Sequence, residues 1–279
     1  FYNPDRIILG TNDQEVTKLA YKLYKDLMPE SQEILVMSPE SSELTKYASN
    51  AFLATKISYM NEISQFCSLT GANIDDVRKG MGPDPNTAPG FLYAGCGFGG
   101  SCLPKDINSL IYQAGEKDRD LTILKAVREV NENQKEYLFS IASSLFNNKF
   151  KDKKVAIWGL SFKPKTDDMR GAPSLIIIKK LLDSGAKVEC YDPVVSQDRE
   201  KFNIQNESLR LGTDPYEVVR DADCLIICTE WNEFKNINYK KLGSLMNRKT
   251  ILDGRNILIP EKVASNNFEY FDIGRSQVN

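Results

Sequence analysis

The chain has 279 residues, of which 41% are hydrophobic and 27% are charged, with a formal net charge of −2 at pH 7. This length is enough for roughly two domains, each with a core of its own. The balanced charge excludes the basic surface of a nucleic-acid-binding protein, and apolar runs such as residues 175–178 are far too short to span a bilayer. We therefore expect a soluble cytoplasmic protein with no nucleic-acid or membrane partner.

The first forty residues have the pattern of a β-α-β unit. A short β-branched run at 6–10 is followed by the helix-cap signal Thr11-Asn12-Asp13 and by an amphipathic helix to about Leu27, which Pro29 stops. A second strand is predicted at 34–37. Two strands do not make a stable sheet by themselves, so they should belong to a larger one. Because the chain opens with Phe1 rather than methionine, we expect it to be a piece of a longer protein.

Helices are predicted for the next hundred residues. The first is expected after Pro39 and runs from about 43 to 69, with Ser41 or Ser42 as its cap and Gly71 at its end. Its centre is apolar or small on nearly every side, which is typical of a helix in a bundle or at a subunit contact. Further helices are predicted at 74–79, from Pro104 to about 114, and at 121–146.

From about residue 152 the pattern changes to strands that alternate with helices. Strands are predicted at 154–160, 187–191, 223–229, 250–252 and 268–273, with helices at 174–184, 215–220 and 239–246. This alternation predicts a parallel doubly wound sheet, in which ligands bind at the carboxyl ends of the strands.

The segment Gly97-Phe98-Gly99-Gly100-Ser101-Cys102-Leu103-Pro104-Lys105-Asp106 combines glycines with a thiol, a cation and a carboxylate. Pro104 predicts a helix start, which places Cys102 where the helix dipole and Lys105 both favour a thiolate. The alternative is a tight turn followed by a buried structural cysteine. Asp106, four residues on and on the same helical face, favours a ligand site instead.

The other cysteines and the absence of histidine limit the possible chemistry. The chain has six cysteines, whose spacing does not fit a disulfide framework, and no histidine. Cys–His dyads, Ser–His–Asp triads and histidine-bearing zinc sites are therefore excluded, and no metal site is predicted. A reactive thiolate has to be activated by lysine, by a helix dipole or by the ligand.

Two further groups of polar residues are candidates. Lys46 and Asn50 follow Glu43 at i+3 and i+7 and lie on one face of the first long helix, although an exposed salt-bridged face is the alternative. Cations follow two predicted strands, and they favour a diphosphate site over solvated surface charges: Lys163, Lys165, Arg170 and Arg255. The strand that ends at Gly159 is not followed by the G-x-G-x-x-G turn of dinucleotide folds.

Together these segments resemble the UDP-glucose 6-dehydrogenase family over nearly the whole chain. The resemblance rests on residues 97–106 and on Glu43-x-x-Lys46-x-x-x-Asn50, Phe162-Lys163-Pro164-x-Thr166-Asp167-Asp168-x-Arg170, Thr229-Glu230-Trp231 and Asp253-Gly254-Arg255. It implies an NAD-dependent oxidation of the sugar C6 alcohol to a uronic acid.

The resemblance also implies roles for single residues. Cys102 is the implied nucleophile, which attacks the C6 aldehyde to give a thiohemiacetal and then a thioester, with Lys46, Asn50 and Asp106 as the other catalytic residues. The implied substrate-binding residues are Phe91, Leu92, Tyr93, Gly97, Phe98, Gly99, Phe162, Lys163 and Arg255. Lys105 and Arg170 are implied to contact NAD.

The implied fold is α/β in three parts. Residues 1–40 are a remnant β-α-β of an NAD-binding domain, and 41–150 are a central all-α dimerisation domain with the catalytic loop. Residues 151–279 are a doubly wound parallel-sheet, Rossmann-like domain that binds the UDP-sugar. The resemblance implies a homodimer through the central helices, and an inactive fragment, because most of the cofactor domain would precede Phe1.

Alternatives stay open at this stage. The substrate could be GDP-mannose or a UDP-N-acetylhexosamine, although Ser101 and Phe98 favour UDP-glucose over the N-acetyl sugars. A non-catalytic module that binds nucleotide sugars or forms oligomers is a different class of function. Asn86 stands where the family often has an arginine that reaches a neighbouring subunit, so the dimer contact or the substrate is expected to differ.

Overall fold

The computed structural model describes residues 4, 6–27, 34–87, 90–197, 202 and 204–275. The chain forms two compact units, residues 1–52 and residues 53–279. The division into three domains at residues 40 and 150 stays a prediction.

The unit of residues 1–52 contains the predicted β-α-β. Strand β1 (Ile7–Gly10) pairs in parallel with β2 (Ile34–Met37), and helix α1 (Gln14–Tyr24) connects them. Asp13 caps α1, because its Oδ1 accepts a hydrogen bond from the backbone N–H of Glu15 at 2.8 Å. These elements are confirmed. The predicted helix stop at Pro29 lies outside the described residues.

Helix α2 (Pro39–Thr70) starts earlier than the sequence predicts. The cap is neither Ser41 nor Ser42. Instead, Ser38 Oγ accepts a hydrogen bond from the Ser41 backbone N–H at 3.2 Å, and Pro39 occupies the first turn, where its missing N–H costs nothing. The predicted end at Gly71 is confirmed, with φ at +75°.

Three further helices follow, close to their predicted bounds. They are α3 (Ile74–Met81), α4 (Leu103–Gly115) and α5 (Thr122–Leu145). A small apolar cluster that includes Ala54, Ile107 and Val127 joins α2, α4 and α5. These helices form the wall against which the loop before α4 packs.

A six-stranded parallel sheet forms the remainder of the described chain. Its strands are β3 (Lys154–Trp158), β4 (Lys187–Tyr191), β5 (Leu209–Leu211), β6 (Cys224–Ile227), β7 (Thr250–Asp253) and β8 (Glu269–Phe271). Their spatial order is β5-β4-β3-β6-β7-β8. This is the doubly wound order, in which β4 and β5 extend the sheet on one side of β3, and β6, β7 and β8 extend it on the other side. The strand order reverses between β3 and β6, and such folds bind ligands at this point.

Helices cover both faces of the sheet. They are α6 (Pro173–Asp183), α7 (Pro215–Val218), α8 (Asn232–Lys235), α9 (Tyr239–Leu245) and α10 (Pro260–Ser265). Along β3, Val155 and Ile157 belong to one hydrophobic cluster, while Ala156 and Trp158 belong to another. Burial on both faces explains why this strand reads as a continuous apolar run. The doubly wound fold is confirmed, but β5, α8 and α10 were not predicted.

A C-terminal segment joins the helical wall to the sheet. Arg275 Nε donates to Asp75 Oδ2 at 2.8 Å, and the Ile74 backbone N–H donates to the Gly274 carbonyl at 2.8 Å. Because Asp75 and Ile74 belong to α3, these bonds fix that helix to the chain that follows β8.

None of the helices within the described ranges is long and apolar enough to cross a membrane.

Candidate active site

The glycine loop, defined here as residues 94–101, lies over the carboxyl edge of the sheet. The Cys96 backbone N–H donates to the Gly254 carbonyl at 2.8 Å, just after β7. The Gly100 N–H donates to the Arg170 carbonyl at 2.7 Å, in the segment that follows β3. The loop is therefore attached to two of the strand ends where a doubly wound sheet binds its ligand.

Three buried amide side chains hold the loop from its other side. Asn61 Oδ1 accepts from the Gly95 N–H at 2.8 Å, and Gln134 Nε2 donates to the Gly95 carbonyl at 2.7 Å. Asn131 makes two bonds to Phe98, accepting from its N–H at 2.8 Å and donating to its carbonyl at 3.1 Å. All three amides are at most 1% exposed. The buried backbone of the loop is thus satisfied at both positions without water.

These amides were not assigned to the site from the sequence. Asn131 and Gln134 occur in the apolar stripe of the α5 pattern, and Asn61 lies in the apolar part of α2. A carboxamide suits the task, because it carries a donor and an acceptor on one rigid plane and can match a peptide group. A buried amide inside an apolar stripe is the signal that could have identified them.

The loop approaches the segment after β3 so closely that only glycine fits at its tip. A Cβ on Gly99 would lie 2.4 Å from the Gly171 carbonyl oxygen, and a Cβ on Gly100 would lie 2.8 Å from the Phe162 ring. The structure therefore brings Gly99 and Gly100 together with Phe162, which lies far from them in the sequence.

The glycines at positions 95, 97 and 100 have the G-x-G-x-x-G spacing by coincidence. The element before them in the described chain is helix α3 rather than a strand, and α4 begins only at Leu103. The spacing is therefore not a dinucleotide fingerprint, which requires a strand, a tight turn and a helix in succession.

Cys102 lies at the N-cap position of α4, as the sequence predicts to within one residue. Its side chain is exposed, with Sγ 3.7 Å from Ser101 Oγ. Its carbonyl accepts the backbone N–H of Asp106 at 2.8 Å, which closes the first turn of the helix. The thiol thus stands at the end of the glycine loop, facing outward.

The other five cysteines are buried and unsuited to attack a solute. Burial raises the pKa of the Cys190 and Cys224 thiols far above the ordinary value. The hydrogen bond with Cys96, together with burial, does the same for Cys228. The hydrogen bond with Cys228 lowers the pKa of the Cys96 thiol, but that side chain is fully buried and cannot reach a solute. Exposure therefore leaves Cys102 as the candidate nucleophile among the six thiols.

Asp106 and Lys105 lie in the first turn of α4. The Asp106 carboxyl is fully buried, and Lys105 Nζ lies 3.3 Å from its Oδ1. The Lys105 side chain is 65% exposed. The predicted contact of Lys105 with NAD stays a prediction, and so does the catalytic role of Asp106.

The segment after β3 presents Phe162, Lys163 and Arg170. Lys163 Nζ lies 5.4 Å from the centroid of the Phe162 ring. Arg170 pairs with Asp168 through two bonds, Nε to Oδ1 at 2.9 Å and Nη2 to Oδ2 at 2.7 Å, and this pairing lowers the pKa of the Asp168 carboxyl. The guanidinium of Arg170 is thus paired within this loop, and its predicted contact with NAD stays a prediction.

Arg255 follows β7 and is held in place from two sides. Its Nε donates to the Cys228 carbonyl at 2.8 Å and lies 3.3 Å from Glu230 Oε2, while its backbone N–H donates to Asp253 Oδ1 at 3.0 Å. The guanidinium packs against Gly95, where a Cβ would lie 3.0 Å from Nη1. The structure thus places Arg255 directly beside the glycine loop. Glu230 was not predicted to have this contact.

The three predicted substrate residues that precede the glycine loop differ in how exposed their side chains are. Phe91 and Tyr93 are 57% and 64% exposed, and the Arg78 guanidinium carbon lies 4.6 Å from the Tyr93 ring centroid. Leu92 is 3% exposed and belongs to the hydrophobic core, so its side chain is not presented to a ligand. The contact of Phe91 and Tyr93 with substrate stays a prediction.

Lys46 and Asn50 belong to the unit of residues 1–52. They lie one turn apart on α2 and line a shallow depression of that unit together with Arg6, Ile8, Ser42, Thr45 and Ser49. Their shared face is confirmed, and their catalytic roles stay predictions.

Two further features complete the site region. Asn86, which stands where an arginine was expected, donates from its backbone and side chain to Asp84 Oδ1, both at 2.9 Å. No cluster of three Cys, Asp or Glu residues suited to a metal ion occurs in the part of the chain that the structure describes.

Comparison with known proteins gives concordant results. The UDP-glucose/GDP-mannose dehydrogenase family, central domain, matches residues 40–133, and the UDP binding domain of the same family matches residues 156–260. A UDP-glucose 6-dehydrogenase of Pseudomonas aeruginosa is 42% identical over 278 residues, which are 99% of this chain and 61% of that protein. The chain therefore spans about three fifths of the length of this relative.

Two solved structures have the same fold. A UDP-glucose dehydrogenase from Pyrobaculum islandicum matches with a TM-score of 0.87 and 30% identity, over 99% of this chain and 60% of that one. A UDP-D-ManNAc dehydrogenase from Pyrococcus horikoshii matches with a TM-score of 0.82 and 27% identity, over 98% and 61%.

The amide of Asn131 provides a direct test of how the loop is held. Replacing Asn131 with alanine leaves the N–H and the carbonyl of Phe98 buried without partners, which should lower the free energy of unfolding by roughly 2–4 kcal/mol. Asn133→Ala, at an exposed position of the same helix, is the matched control and should change it by less than about 0.5 kcal/mol. Urea denaturation measures both. Equal effects of the two substitutions would contradict the role of Asn131.

Proposed function

Because this chain belongs to the UDP-glucose/GDP-mannose dehydrogenase family, we propose that it is the catalytic-cysteine and substrate-binding part of an NAD-dependent UDP-glucose 6-dehydrogenase. The observation that carries the proposal is the exposed thiol of Cys102 at a helix start, next to a glycine loop fixed over the carboxyl edge of a parallel sheet. The name of the relative from Pseudomonas aeruginosa supports UDP-glucose as the substrate.

The sheet offers cations for the nucleotide diphosphate. Lys163 follows β3, and Arg255 follows β7, on either side of β6 in the strand order. The guanidinium of Arg255 is 15% exposed and fixed through its Nε, so its remaining donors can meet a phosphate without further ordering. Phe162, packed on the glycine loop, would contact the sugar between the diphosphate and Cys102.

The steps that we assign to this chain occur at Cys102. Its thiolate adds to the carbonyl carbon of the C6 aldehyde, forming a C–S bond and an oxyanion that takes a proton to give the thiohemiacetal. After a two-electron oxidation at that carbon has given the thioester, water attacks it, the C–S bond breaks, and the uronate and the thiolate are released. Lys46, Asn50 and Asp106 keep the roles that the resemblance implies for the oxyanion and the water.

The two oxidations at C6 require an electron acceptor, and NAD serves that role in the proposal. The described residues do not form a complete dinucleotide site by themselves. β3 is followed by Gly159, Leu160 and Ser161 rather than by a glycine-rich pyrophosphate turn, and β1 and β2 are only two strands. The contacts of Lys105 and Arg170 with NAD therefore stay predictions.

Two other functions are alternatives to this proposal. A related dehydrogenase could act on GDP-mannose or a UDP-N-acetylhexosamine, and the structural similarity to the Pyrococcus horikoshii enzyme fits the second of these. A non-catalytic module would need no exposed thiol beside its ligand loop. NADH formation by the full-length protein with each nucleotide sugar distinguishes these substrates.

A homodimer is the proposed assembly. Helix α2 exposes Tyr59 and Phe66, seven residues apart on one face, at 48% and 62%, and Leu69 is 83% exposed. Apolar side chains at this spacing form a stripe that a second copy of the same helix can cover.

Replacing Cys102 with alanine tests the proposed chemistry. The full-length wild type should form two NADH and one uronate per UDP-glucose, whereas Cys102→Ala should form no uronate and at most one NADH. The rate of uronate formation should fall about 10³-fold or more, because no thioester can form. Ser109→Ala, later in the same helix, is the control. Uronate formed by Cys102→Ala at more than trace rates would exclude the thioester mechanism.

The dimer is tested by placing a charge in the α2 stripe. Wild-type protein should sediment as a dimer at micromolar concentration, and Phe66→Glu should shift it toward monomer, because a carboxylate in an apolar contact loses its hydration. Ile259→Glu changes another exposed apolar side chain, outside the stripe, and should leave the dimer intact. A monomeric wild type, or a dimeric Phe66→Glu variant, would argue against this interface.

A further inference from the structure

Asp192 is a fully buried carboxylate that the proposed function does not use. It directly follows β4, which is the second strand of the doubly wound sheet and lies next to β3. In dinucleotide-binding folds, an acidic residue at the end of the second strand binds the ribose hydroxyls of the cofactor. The position of Asp192 therefore suggests a contact with a cofactor, but its hydrogen bonds all go to the protein itself.

One oxygen of Asp192 is surrounded by four donors. Its Oδ2 accepts from the backbone N–H groups of Leu160 and Ser161 at 2.8 and 3.1 Å. It also accepts from Ser161 Oγ and from Trp231 Nε1, each at 3.1 Å. The carboxylate thus connects the turn after β3 with the segment after β6.

The other oxygen is also occupied. Oδ1 accepts from the backbone N–H groups of Val194 and Val195 at 3.0 and 3.1 Å, which closes the turn after β4. With six donors on two oxygens and no exposed surface, the carboxylate has nothing left for a ribose. Asp192 is therefore committed to the protein itself.

The two carbonyls of the same turn are fixed as well. Leu160 O accepts from Ser174 Oγ at 2.7 Å, and Ser161 O accepts from Thr229 Oγ1 at 2.6 Å. Every backbone polar group of Leu160 and Ser161 therefore has a partner. The chain that leaves this turn is Phe162, which packs on the glycine loop, and then Lys163.

We propose that Asp192 is a positioning residue, which fixes the turn after β3 so that Phe162 and Lys163 face the nucleotide sugar. This inference rests on the proposed function, because the two residues it positions are proposed substrate contacts. In this proposal the acidic residue after the second strand does not bind a cofactor. It shapes the substrate site through the backbone of the turn after β3.

The task requires a carboxylate rather than a neutral amide. In asparagine one of the two oxygens becomes an NH₂ group, which can only donate. Whichever way the amide turns, this group faces at least two donors at hydrogen-bond distance. The turn then has to move, and it carries Phe162 and Lys163 with it.

The test uses the full-length protein with Asp192→Asn and, as the control, Asp223→Asn. Asp223 Oδ2 accepts a hydrogen bond from the Lys154 N–H at 3.0 Å. It therefore holds the amino end of β3, at the edge of the sheet opposite the proposed ligand site. Asp192→Asn should raise KM for UDP-glucose about tenfold while kcat changes less than about threefold, because the displaced residues bind substrate and do not react. Asp223→Asn should lower the melting temperature and leave KM unchanged.

UDP affinity measured by calorimetry gives a second readout that does not depend on turnover, and it should weaken about tenfold in Asp192→Asn. If that variant does not fold, Trp231→Phe removes a single donor to Oδ2 and should raise KM about threefold. A KM and a UDP affinity within twofold of the wild type, or an equal change in Asp223→Asn, would overturn the positioning role. A wild type that binds UDP but oxidises no nucleotide sugar would instead refute the proposed function.

Discussion

The structure of the site depends on one constraint, which is that the glycine loop passes between the helical wall and the sheet without access to water. Its peptide groups must find partners in the protein, since a buried polar group without one costs about 1–3 kcal/mol. Asn61 and Gln134 satisfy Gly95, and Asn131 satisfies Phe98. The loop is thereby fixed a few residues before Cys102, so the position of the thiol follows from these buried amides.

On the side of the sheet, a carboxylate provides the hydrogen-bond partners that the buried backbone needs. Asp192 and its donors fix the turn that leads to Phe162, and the Phe162 ring in turn excludes any side chain at Gly100. The two walls of the site are thus rigid backbone segments whose polar groups point inward, while Cys102 and Lys163 are presented outward. Such preorganisation suits a reaction in which a thiolate must meet one carbon of a large flexible substrate.

Much of the fold could be predicted from the sequence because long periodic segments carry a strong signal. Helix α5 and strands β3 and β6 each provide enough apolar residues to show their period. Strand β5 and helix α10 have three and six residues, too few for a period to be visible. The start of α2 was misplaced because Pro39 was read as a break rather than as a first-turn residue.

The site was predictable only where its residues stand close together in the sequence. The glycines, Cys102 and Asp106 lie within ten consecutive positions, and together they indicate a loop followed by the start of a helix. Asn61 and Asp192 bond to backbone groups 34 and 32 residues away, and nothing local in the sequence indicates such partners. The resemblance assigned Leu92 to the substrate, and the burial of its side chain in the core could not be read from the local sequence; its contact with substrate stays a prediction.

The central claim is that the sugar end of a UDP-sugar lies at Cys102. Because Cys102 is the exposed thiol among six, its alkylation by iodoacetamide can be followed by mass spectrometry in the full-length protein without cofactor. UDP-glucose should slow this alkylation about tenfold at saturation, since the bound sugar covers the thiol, while UDP alone should leave the rate nearly unchanged. Equal protection by UDP and UDP-glucose, or protection by neither, would contradict the account.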